Sequence, residues 1–196
     1  MPLWQRVLAV IILGPIILIV IVYFLNREST LHKKIISLDD SKYQEKYEGY
    51  LELHKINGSN TEYSEKALEY AKNYLKSLPE TEPDAKFSVY KAMSELDGSE
   101  NHSDKIELYK FMRDVSTQCA ISSQNMSRNS LNNKSTYKSK IGSGGRWIDK
   151  ETYGYVDIFE GANAFGVVSK FTGTYSCAVD LITKKYSVVR VSNTRE

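Results

Sequence analysis

The chain has 196 residues, 41% of them hydrophobic and 26% charged, with a net charge of +2. That size suits one or two small domains, and the near-neutral balance points neither toward nor away from an anionic partner. Two cysteines without C-x-x-C spacing exclude a disulfide scaffold, a redox motif and a zinc ribbon, and His32, His54 and His102 are too scattered to suggest a metal site.

Val7 to Leu25, "VLAVIILGPIILIVIVYFL", carries no charge. As a helix it would span about 28 Å at ~1.5 Å per residue, close to a ~30 Å hydrocarbon core. Trp4 and Tyr23 lie near its ends, where amphipathic rings favour the membrane interface. The apolar run is longer than that of a cleaved leader, and the following "NREST" offers no small-residue cleavage site, so the stretch reads as an uncleaved anchor. Arg27, Lys33 and Lys34 after the span would hold the C-terminal part in the cytoplasm, but long domains translocate largely regardless of charge. A disulfide would argue for the opposite side, because disulfides persist in oxidising compartments.

From Ser37 to about Gln124 the apolar residues recur with helical period. Tyr43, Tyr47, Tyr50, Leu51 and His54 share one face of a first helix, which "NG" at Asn57-Gly58 stops. A second helix runs from Thr61 to Leu78 with Tyr63, Ala67, Tyr70, Ala71, Tyr74 and Leu75, closed by Pro79. Pro83 suits the first turn of a third helix bearing Phe87, Tyr90, Met93 and Leu96, and Ser103 suits the cap of a fourth that runs toward Cys119. Short connections make these antiparallel neighbours. "EKALEYAKNYLKSLPE" has the look of half a tetratricopeptide repeat, yet the 34-residue signature is not met twice. The fourteen tyrosines supply either a core with hydroxyls at its rim or a groove for a partner peptide.

Between Asp114 and Asp149 there is no acid, whereas Arg128, Lys134, Lys138, Lys140 and Arg146 all fall there. Such a cluster is a solvated loop or a contact for an anion: lipid head groups, an envelope polymer or nucleic acid. Nucleic acid is disfavoured, since only Tyr137 and Trp147 could stack on bases. "IGSGGRW" lacks the ending of a phosphate loop.

Strand signals follow. "TYKSKI" alternates weakly; "YGYVDIFEG" puts Val156 and Ile158 on one side and Tyr155, Asp157 and Phe159 on the other. "GANAFG" is a turn, "VVSKFTGTYSCAVDL" a long strand in which Gly173 marks an expected bulge or bend, and "YSVVRVS" a last strand. Three or four antiparallel strands need a cover, and the helix carrying Cys119 is the nearest one. Cys119 and Cys177 could then bridge helix and sheet, or remain two buried thiols. The expected class is therefore α+β: an N-terminal transmembrane anchor (1–28), a segment of antiparallel helix hairpins (29–102) and an α+β head (103–196).

From Cys119 to Val191 the chain resembles a module of uncharacterised bacterial and phage envelope proteins, in which an asparagine-x-phenylalanine-glycine turn precedes a cysteine-bearing strand. Asn163, Phe165 and Gly166 match the turn, and Cys119 and Cys177 match the cysteine pair. The resemblance implies an envelope location and an exported head, and no activity.

No G-x-S-x-G or H-E-x-x-H motif occurs, so the chain reads as non-catalytic and in need of no cofactor or small-molecule substrate. Asp157, Glu160 and Asp180 flank the expected hairpin, where acids ordinarily solubilise a sheet edge. The function expected is a single-span membrane protein presenting an extracytoplasmic interaction head, with the bilayer and a protein or envelope polymer as partners. The basic cluster and the hairpin from Asn163 to Gly166 are its candidate contacts. Alternatives are a phage-encoded superinfection-exclusion or lysis-tuning factor, and a cytoplasm-facing adaptor.

Overall fold

The computed structural model describes residues 22–23, 26–98, 100–162 and 165–195. Among them no helix is long and apolar enough to cross a membrane; the expected anchor lies outside the described residues but for Val22 and Tyr23. The class is α+β. The chain forms two compact units. The first ends at Ser77 and takes in Glu95–Gly98; the second holds Leu78–Ser94 and the chain beyond Gly98.

The first unit contains α1 (residues 26–36), α2 (Tyr43–Ile56) and α3 (Thr61–Ser77). Its core is Ile35, Tyr50, Leu53, Tyr63 and Ala67, with Leu31, Tyr70 and Leu96 packed around it. The buried face of α2 is Lys46, Tyr47, Tyr50 and Leu53; Tyr47 and Tyr50 are buried as expected, while Lys46 and Leu53 take the place of Tyr43, Leu51 and His54 because α2 packs against α1 as well as α3. The rings lie between helices: Tyr50 stacks on Tyr70 at 5.7 Å and Tyr47 on Tyr74 at 6.3 Å. Lys46 is 4% exposed, and its Nζ donates to Asp40 at 2.6 Å while lying 5.3 Å from the centre of the Tyr70 ring. The tyrosines of this unit thus fill a core.

The second unit begins at Leu78 and holds most of α4 (Pro83–Asp97), opened by Pro83 as its fixed φ favours. A 3₁₀ turn at Glu100–His102 leads into α5 (Ser103–Asn129), a helix of 27 residues. His102 takes the cap position expected for Ser103, and makes no side-chain cap bond. After a second 3₁₀ turn (Lys134–Thr136) come β1 (Lys138–Ser139), β2 (Gly144–Trp147), β3 (Thr152–Ala162), β4 (Val168–Asp180) and β5 (Lys185–Arg195). They form a five-stranded antiparallel sheet in the order β1-β3-β4-β5, with β2 also paired to β3. The expected three or four strands therefore become five. The extra one, β2, was hidden by glycines of low strand propensity, yet Gly145 faces Tyr155 and Arg146 faces Gly154 in register. The bulge expected at Gly173 is absent. The irregularity lies at Thr174/Tyr175, where β5 carries Val191 as an extra residue. Gly173 instead makes room for a ring, since a Cβ there would lie 2.8 Å from Tyr175.

Period-2 alternation buries Tyr153, Tyr155, Asp157 and Phe159 of β3 and Tyr175, Cys177 and Val179 of β4. Over them lie Tyr109, Met112, Val115, Cys119, Ser123 and Ser127 of α5, spaced three and four apart. Two polar contacts fix the helix on the sheet: Gln124 donates to the Tyr155 hydroxyl at 2.9 Å, and Ser127 and Tyr175 hydroxyls meet at 2.6 Å. The Arg190 guanidinium lies over the Tyr175 ring and donates to the Met126 carbonyl, where a cation suits the negative end of the helix dipole. Cys119 and Cys177, both fully buried, are paired across this interface with Cα atoms 6.2 Å apart.

Closing a loop between residues 58 apart, the pair should stabilise the head by about 4 kcal/mol on the chain-entropy model. Cys177→Ala is expected to lower the melting temperature under oxidising conditions and to match the parent chain in reductant. Calorimetry with and without reductant checks this.

Candidate functional site

β3 divides the head's chemistry between its two faces. Asp157 points inward and is fully buried, which corrects its reading as a solubilising acid at a sheet edge. The reason lies in the alternation that also buries Tyr155 and Phe159. The Tyr137 hydroxyl donates to Asp157 Oδ2 at 2.9 Å, and the Ser139 and Ser143 hydroxyls lie 3.2 Å from Oδ1. Ser143 Oγ also accepts from the Ile158 N–H at 2.9 Å. Hydroxyl donors around one carboxyl group satisfy its oxygens and pin the segment 137–143 to β3. Burial, then the hydrogen bond to Asp157, pushes the Tyr137 phenol well above its ordinary value.

The other acids are also engaged. Glu160 points to the outer face and pairs with Lys140 at 2.8 Å. Asp180 closes the β4–β5 turn, accepting from the Ile182 and Thr183 N–H groups and the Thr183 hydroxyl, which hold its carboxyl below the usual range. Asp157 and Glu160 thus stand on opposite faces of one strand. Among the described residues, no group of three or more His, Cys, Asp and Glu side chains could hold a metal ion. The His32 ring lies edge-on to Tyr50 and Tyr63, and the His102 ring lies against Tyr90.

The five basic residues singled out in the sequence fall along one stretch of the head. Arg128, in the last turn of α5, donates from Nε to the Lys134 carbonyl at 3.3 Å. Lys138 and Lys170 stand on either side of Glu160 in the sheet register, and Lys140 bonds it. Arg146 sits on β2 across from Gly154, on the outer face. Around Glu160 there is thus one acid to three lysines.

Among the described residues, the outer sheet face and the β3–β4 turn carry an exposed apolar set, of which the sequence reading singled out only the hairpin with Phe165. Phe165 is 92% exposed, and Val167, Val168, Val189, Val191 and Ile148 are each more than half exposed. Val156 and Ile158, which alternation placed on one side of the strand, lie on the outer side, and Val156 and Ile148 line a groove with Arg146, Thr174 and Val191. Gly166, at φ 79°, occupies the left-handed region that glycine favours, as the turn motif requires; Asn163 lies outside the described residues.

No protein-family model, curated protein or solved structure matches this chain.

Two outcomes follow from the buried polar groups. Asp157→Ala leaves Tyr137, Ser139 and Ser143 without their shared acceptor, and a loss of about 2–4 kcal/mol is expected in urea melts. Burial also raises Tyr109, and raises Tyr47 to about 12. Folded-state values above the ordinary 10 mean that this stabilisation is complete below pH 10 and is lost as pH rises beyond it. Melting temperature should therefore fall steeply above that pH, and Tyr47→Phe with Tyr137→Phe should flatten the fall.

Proposed function

We propose that this chain is a single-span, membrane-anchored, non-catalytic binding protein whose α+β head meets its partner on the extracytoplasmic side. The observation that carries the reading is the β3–β4 end of the head. Phe165 stands almost fully in solvent, with Val167 and Val168 beside it, and the lysine-flanked Glu160 row lies just below on the same two strands. An exposed aromatic with aliphatic neighbours and a basic surround is the composition of a docking anchor. The buried cysteine pair supports the side of the membrane, because such pairs persist where the surroundings oxidise. The uncharged stretch Val7–Leu25 supports the tether, and tethering raises local concentration enough for a modest head contact to suffice. The partner is a protein or envelope polymer with apolar and acidic groups.

Replacing Phe165 by a photo-crosslinking phenylalanine derivative in intact cells tests this reading. The expected result is a discrete adduct that weakens when Lys134, Lys138 and Lys140 are changed to serine, and weakens further as external salt rises. Labelling no stronger than from the exposed helix position Ser88 would remove the hairpin end as the contact.

A further inference from the structure

A lysine with its side chain covered is uncommon, since lysine is almost never buried unless paired. This chain has two, Lys46 and Lys86, each 4% exposed. Each bonds an acid six positions earlier: Lys46 Nζ to Asp40 at 2.6 Å, and Lys86 Nζ to Glu80 at 2.5 Å. Each also lies over a tyrosine of the next helix, 5.3 Å from the Tyr70 centroid and 5.6 Å from that of Tyr109. That tyrosine in turn stacks on a ring four residues beyond the lysine: Tyr50 on Tyr70 at 5.7 Å and 4°, Tyr90 on Tyr109 at 5.8 Å and 12°.

The correspondence extends outward from the lysines. Tyr50 meets Tyr63 as Tyr90 meets His102. Tyr47 meets Tyr74 as Phe87 meets the Arg113 guanidinium. Leu53 and Met93 are the buried residues one turn on. Ahead of the acids, "SL" occurs at Ser37-Leu38 and again at Ser77-Leu78. In both, the serine hydroxyl donates to the carbonyl of the third residue before it, at 2.7 Å. From Ser37 through Gly58 every partner lies forty positions on; from Tyr63 through Tyr74 it lies thirty-nine on. The one-residue difference falls between Gly58 and Tyr63, in the connection between the two helices of a hairpin, where length is least constrained. Two unrelated hairpins have no reason to share an acid, a buried lysine and three ring contacts in the same order at spacings that differ by a single residue.

We infer that residues 37–113 are two tandem copies of one helix-hairpin repeat, the second of which is built into the same compact unit as the sheet. The period of forty explains why the 34-residue signature failed. The ion pair and ring contact of each lysine clamp the preceding connector to its own hairpin. Tandem hairpins of this kind have stabilities that sum over units, so they lengthen and shorten by whole copies. The first turns of α5 complete the second copy and the remainder covers the sheet. The inference is independent of the proposed binding role.

The test is removal of one period from the full-length chain in detergent. Deleting residues 48–87 joins Tyr47 to Ser88 inside a helix and sets Lys46 in the place of Lys86, under Tyr109. A folded chain is expected: one cooperative melt, the Cys119–Cys177 pair formed, and ellipticity at 222 nm per residue retained. Deleting residues 48–85 instead turns the downstream face by about 200° at ~100° per residue, and is expected to lose the cooperative melt. An in-phase deletion that behaves no better than the out-of-phase one overturns the duplication. Limited thermolysin digestion supplies a second, local reading. Lys46→Ala should expose cleavage at Leu38 and Lys86→Ala at Leu78, by comparable factors. Opening of only one connector would mean that the two lysines are not equivalent.

Discussion

The head depends on one constraint, that an antiparallel sheet with an apolar face must be covered. A single helix, α5, provides the cover. Its inward residues at spacing three and four meet strand residues at spacing two, and the two periods coincide over Tyr155, Tyr175 and Cys177. The cysteine pair ties the middle of that contact, and hydroxyl and amide contacts from Gln124 and Ser127 set the helix against the tyrosine hydroxyls. The inner face is spent on this packing, which leaves the outer face and the turns to solvent. That is where the exposed apolar residues and the lysines stand.

Much of this architecture was legible from periodicity. The helices, the period-2 alternation of β3 and the covering role of the Cys119 helix all follow from where apolar residues recur. Long-range pairing was harder to read. β2 has the sequence Gly-Gly-Arg-Trp, which carries no strand signal of its own and becomes a strand only because β3 offers it an edge. The bulge was placed at Gly173 on the strength of the glycine, whereas the glycine serves the Tyr175 ring and the extra residue is Val191 on the neighbouring strand. Alternation put Asp157 on the side of Tyr155 and Phe159 without saying which side faced the core; its burial could be foreseen only by also finding the Tyr137, Ser139 and Ser143 hydroxyls that satisfy it.

The lysine clamps were hidden for a related reason. Lys46 and Lys86 look like ordinary charges on a helix surface, and each becomes buried only when an acid from the preceding connector and a tyrosine from the following helix close over it. Weak sequence identity between the copies conceals them, since rings are exchanged for other groups that stack equally well: Tyr47 for Phe87, Tyr63 for His102, Tyr74 for Arg113. Contacts, rather than residue identities, carry the repeat.

The side of the membrane on which the head works is the central claim, and thiol accessibility in intact cells tests it most directly. An impermeant maleimide is applied with and without reductant, and labelled cysteines are counted by gel shift after denaturation. Labelling of Cys119 and Cys177 only after reduction and unfolding is the predicted result, and means an oxidised, exported head. Thiols that are free without reductant, and react only once the cells are lysed and the chain unfolded, would contradict it and leave the head in the cytoplasm.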